Sequence, residues 1–106
     1  MDPGLTEVAT GSVPRPRLRV VRRRYGDRRF LVDRVRLFAL DPLADAVWRA
    51  CDGSSTVAEI AERVAAAESR PLDEALAATA LAVTHFERNG LLALEAPAAD
   101  GGEPDG

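Results

Sequence analysis

The sequence contains no lysine, one histidine and one cysteine, and each shortage closes off a class of chemistry. A single cysteine, Cys51, cannot form an internal disulfide, which fits a reducing cytoplasm. No His or carboxylate stands at a nucleophile-like spacing from it, so Cys51 reads as a small buried residue. With His85 as the only histidine, neither a histidine-based metal site nor a catalytic triad is expected. No run reaches the roughly 18 apolar residues of a membrane span. Residues 1–10 lack the basic and apolar regions of a secretory signal. There is no glycine-rich phosphate loop, since Gly101 and Gly102 fall in the polar terminal stretch. What remains is a cytoplasmic binding module, not an enzyme, with no cofactor or metal.

Residues 1–13 and 96–106 are rich in Gly, Pro, Asp and Glu and are expected to be disordered tails. That leaves residues 14–95 as one small domain. Within it the charge is segregated. Ten of the fourteen arginines lie in residues 15–36 with only Asp27 and Asp33 beside them, which makes that part eight charges positive. Residues 37–95 hold four arginines against ten carboxylates and are six charges negative. A basic first part thus precedes an acidic one.

The basic part alternates. Leu18, Val20 and Arg22 against Arg17, Arg19 and Val21 predict a first strand. Tyr25-Gly26-Asp27-Arg28 is turn chemistry, and Phe30-Leu31-Val32 is rich enough in β formers for a second strand. After Asp33-Arg34, the alternation of Val35, Leu37 and Ala39 with Arg36, Phe38 and Leu40 predicts a third. Helices follow. Asp41 before Pro42 is an N-cap ahead of a first-turn proline, and Leu43, Val47 and Trp48 supply an apolar stripe. Asp52-Gly53 stops this helix, and Thr56 with Glu59 forms a capping box for the next. The third and longest helix begins near Pro71 and stops at Gly90, with Leu72, Leu76, Thr79, Val83 and Phe86 predicted to face the core. Leu81 and His85 fall on its other side. A three-stranded antiparallel sheet followed by three helices is an α+β, winged helix-turn-helix-like fold.

Such a fold invites a DNA-binding regulator as the alternative reading, but the electrostatics oppose it. The helix over residues 72–89 would have to read bases, yet it opens on Asp73 and Glu74, and its cations stand only at the far end. A structural subunit without a ligand of its own is a third reading.

The run from Leu40, L-D-P-L-A-D-A-V-W-R-A-C-D-G-S-S-T-V-A-E-I-A, resembles the pattern L-N-x-T-A-x-x-I-W-x-L-L-D-G-x-x-T-V-x-E-I-A of the PqqD-like family. These are the leader-peptide recognition elements of ribosomally made, post-translationally modified peptide pathways. Phe86 with Gly90-Leu91-Leu92 resembles the family's close, L-x-x-x-G-L-L. Asp41 replaces the family's Asn, and Ala78-Thr79 stands where an Asp-Val pair is common.

The resemblance implies that the third strand receives an extended leader peptide as an added strand, in a cleft closed by the third helix. The peptide is then handed to a modifying enzyme such as a radical enzyme, a cyclase or a protease. The residues it points to are Arg34, Val35, Arg36, Leu37, Phe38 and Ala39 on the strand and Leu81, Val83 and His85 on the helix. Energetics say where affinity must come from. Five ladder bonds at about 1 kcal/mol each are offset by ordering five residues at about 1–2 kcal/mol apiece. Apolar side chains, worth about 1.5–3 kcal/mol each when buried, must therefore supply the surplus. Arg34 and Arg36 flank the edge and are expected to meet leader carboxylates.

Overall fold

The computed structural model describes residues 9–96; of the tails expected at residues 1–13 and 96–106, residues 1–8 and 97–106 lie outside the described residues. The order is β1 (Val13–Pro16), β2 (Val21–Tyr25), β3 (Arg28–Asp33), β4 (Arg36–Leu40), α1 (Pro42–Ala50), α2 (Val57–Glu68), α3 (Leu72–Arg88) and β5 (Leu92–Glu95). The strands β2-β3-β4 form an antiparallel sheet in that order, and the three helices follow, as the sequence predicts.

Local chemistry explains the helix ends. Asp41 accepts from the Ala44 N–H at 2.7 Å, and Pro42 opens α1. Both halves of the Thr56–Glu59 capping box are made, at 3.2 and 2.9 Å. Gly53 takes φ 84°, the left-handed turn that separates α1 from α2. At the end of α3, Gly90 takes φ 73° while its N–H reaches the Glu87 carbonyl and the Leu91 N–H reaches Phe86. That double bond pattern turns the chain sharply back onto the core.

A second, two-stranded sheet joins β1 to β5, with Val13 opposite Glu95 and Pro16 opposite Leu92. The sequence reading missed it. It placed a first strand from Arg17, whereas residues 17–20 form a turn, with Val20 bonded to Arg17 and Leu18 fully exposed. Prolines at 14 and 16 disguise β1, because proline enters strands only at edges, and β1 has a single partner. Residues 9–13 also depart from the expected tail. Ser12 is buried, and the carbonyls of Ser12 and Thr10 accept from the N–H groups of Val57 and Ala58 at 2.9 and 3.0 Å. Two of the otherwise orphaned donors of the α2 first turn are satisfied in this way.

The core lies between the helices and one face of the β2-β3-β4 sheet. Leu31, Val47, Ile60, Val64, Val83, Leu91 and Leu92 are almost wholly buried, and Trp48 meets Phe86 edge-on at 5.3 Å. On α3 the inward stripe is Ala75, Thr79, Val83 and Phe86; Leu72, predicted inward, is half exposed.

Candidate functional site

The sheet positions its arginines through two buried carboxylates. Asp45, in the first turn of α1 and 4% exposed, takes a forked pair from Arg22 at 2.5 and 3.1 Å and lies 3.3 Å from Arg29. Donating to the Asp45 carboxylate raises the Arg22 pKa further. Asp33, 3% exposed, accepts from Arg19 at 2.8 Å and Arg36 at 2.6 Å. These bonds hold the Asp33 carboxyl below the usual carboxylate range, that from Arg19 foremost. Four of the ten arginines of the basic part are thereby held against carboxylates within the fold, which leaves them less available to grip phosphate.

Among the described residues β4 has a neighbour on one side only, so half of its backbone donors and acceptors face an open edge. Its alternation is sorted by the register: Phe38 lies opposite Leu31 and packs with Leu40 against the core, whereas Leu37 and Ala39 point outward. Arg36 ties the start of β4 to the end of α3 through the Asn89 carbonyl at 2.9 Å, and its guanidinium lies 5.0 Å from the Phe38 ring centre. The strand runs directly into Asp41, which lines a groove of about 400 Å³ between α1 and α3. Leu43 and Ala44 form one wall of this groove, and Ala78, Leu81, Ala82 and His85 the other, with Arg88 at its border.

The predicted residues are distributed unevenly over this surface. Leu37, Phe38 and Ala39 belong to the open strand, and Leu81 and His85 line the groove. Leu81 is 67% exposed, an apolar side chain open to solvent among the described residues. Arg34 and Val35 are in the β3–β4 turn, not the strand; Arg34 has φ 61°, and both are exposed. Arg36 is already bonded to Asp33 and Asn89, so it is not the unengaged cation expected at the edge. Val83 is a correction. It is fully buried with Thr79 and Phe86, since two residues beyond Leu81 is about 200° around a helix, away from the groove. The groove residues Leu43, Ala44, Ala78 and Ala82 were not singled out. The signal for the helix wall was the i, i+4 spacing of 78 with 82 and of 81 with 85.

The Cys51 thiol is pushed up to about 12, chiefly by burial and then by the neighbouring Asp52 charge. Among the described residues no group of His, Cys, Asp and Glu side chains is placed to hold a metal.

A small sheet whose outer strands β2 and β4 each pair on one side only, followed by a capped helical trio, defines a winged-helix-like α+β domain. The chain belongs to the PqqD family: the family model described as Coenzyme PQQ synthesis protein D (PqqD) matches residues 29–92. The match runs from β3 to the first residue of β5 and so takes in the edge strand, the groove and all three helices. Membership assigns the chain a role in peptide-modification biosynthesis, in an accessory, non-catalytic family. No curated protein and no solved structure matched the chain.

Proposed function

We propose that this protein binds the leader region of a ribosomally made precursor peptide as a fourth strand along β4 and presents it to a modifying enzyme. The observation that carries this reading is the open β4 edge running into an apolar groove at Asp41. Edge pairing supplies register, with no net affinity of its own. An apolar leader side chain seated between Leu43, Ala44, Leu81 and Ala82 contributes about 1.5–3 kcal/mol. The exposure of Leu81 fits a surface completed by a ligand.

The test is titration of the protein with leader segments of the precursor peptides encoded beside its gene, followed by Trp48 fluorescence and backbone NMR. The expected result is saturable shifts along β4 and along the groove side of α3. Shifts confined to other elements, or no binding together with salt-sensitive retention on duplex DNA, would overturn the reading.

A further inference from the structure

The two faces of the β2-β3-β4 sheet are finished differently. By cross-strand register, Val21, Val32 and Leu37 form one row on the outer face, and Arg23, Phe30 and Ala39 form the next. Tyr25 and Arg28 follow, and the Tyr25 ring sits 5.6 Å from Phe30. The core is on the opposite face, with Leu31, Phe38 and Leu40. Val21, Leu37 and Tyr25 are 40%, 57% and 59% exposed. A lone exposed apolar residue means little, but two adjoining rows with paired aromatic rings make a contiguous patch.

On the inner face Arg22, Arg29 and Arg36 are paired with buried carboxylates, while the exposed Arg24, also on that face, donates to the Gly26 carbonyl. Arg23 and Arg28, on the outer face, make no ion pair among the described residues. Aromatic rings, aliphatic side chains and unneutralised arginines are the composition of a protein–protein interface. Its complement is an apolar patch edged by carboxylates.

We propose that this outer face docks the peptide-modifying enzyme, through such an acid-rimmed apolar patch, and that a bound leader strand becomes part of the docking surface. The inference rests on strand addition at β4 for its second half. With strands about 4.8 Å apart and rising about 3.3 Å per residue, the face is roughly 14 by 17 Å. That is small beside the approximately 800 Å² per partner of a standard interface. A leader strand beside β4 widens it by one strand, and its outward side chains extend the rows of Leu37 and Ala39. The enzyme therefore binds the leader-loaded domain more tightly than the empty one. Val21 and Arg23 precede the residues matched to the family, so this part of the surface is outside the family pattern.

The experiment measures calorimetric binding of the modifying enzyme encoded beside the gene, with and without saturating leader. Wild type is compared with Val21→Asp and Arg23→Glu, two exposed positions on β2, two strands away from the leader edge. Expected are at least a tenfold loss of enzyme affinity in each variant and less than a twofold change in leader affinity. Leader should tighten enzyme binding to the wild type. Unchanged melting and Trp48 emission confirm that the variants fold. Enzyme affinity equal to wild type in both variants overturns the docking face, and indifference to leader overturns the composite surface. A wild-type dimer that Val21→Asp dissociates overturns the proposal by assigning the face to a second copy. If the wild type binds no leader, strand addition fails, while enzyme binding to the leader-free variants still decides the face.

Discussion

Arg22 on β2 and Asp45 on α1 form a forked ion pair, at 2.5 and 3.1 Å, that bolts the sheet to the helices. Asp45 is nearly inaccessible, whereas Arg22 retains about a third of its side-chain exposure, 31%. The pair also sits at the positive end of α1, which favours the carboxylate. Removing the anion strands two arginines, Arg22 and Arg29, in one place. Partial exposure softens the penalty of a fully buried pair. Asp45→Asn is expected to lower unfolding free energy by about 1–3 kcal/mol, read from urea midpoints at constant slope. A midpoint equal to wild type would show that the pair contributes nothing.

Asp33 gives a pH signature. Its carboxyl is held below the usual range by hydrogen bonds from Arg19 and then Arg36. A depressed folded value contributes stability that is complete above the unfolded carboxylate value, near pH 4, and is lost as pH falls through the folded one. Asp33→Asn should therefore be less stable than wild type at neutral pH, with the gap closing below about pH 4. A gap that persists unchanged in acid contradicts the ion-pair account.

Thr79 is fully buried, and its hydroxyl finds no partner among the described residues. The position lies on the inward stripe of α3, where Val83 and Phe86 are apolar. Thr79→Val preserves shape and removes the unsatisfied group. It should stabilise the domain by about 1 kcal/mol, visible as a higher melting temperature. A lower one would mean that the hydroxyl is satisfied in solution.

Leu81 and Val83, two residues apart, should behave oppositely. Leu81→Asp alters an exposed groove residue, so stability should stay within about 0.5 kcal/mol while leader affinity falls by about 10- to 100-fold. Val83→Ala removes two buried methyl groups and should cost about 2 kcal/mol of stability with little direct effect on the folded protein's affinity. Thermal melts and peptide titrations of the two variants separate the roles. A binding loss confined to Val83→Ala would place the groove on the wrong face.

What could be read in the sequence was what is local. The Asp41 cap, the Thr56–Glu59 box and the stops at Gly53 and Gly90 each involve residues within a few positions, so the helices were legible. The β1–β5 sheet was not, because it joins residues about eighty positions apart and hides one strand behind two prolines. On the site, strand alternation located Leu37, Phe38 and Ala39 but could not show that Arg36 is engaged by Asp33 and Asn89. The Asn89 contact is set by how α3 returns to the sheet, at a separation of 53 residues. Helical spacing put Val83 in the core stripe, where it lies, and its second assignment to the groove conflicts with the helical angle from Leu81.

The β1–β5 pairing puts Val13 directly across from Glu95. The first and last strands of the described residues thus lie side by side, the geometry in which one domain is readily grafted into a loop of another. Neither strand is paired with β4, so a graft at that point leaves the open edge intact. The fold is therefore suited equally to standing alone or to insertion within a larger chain.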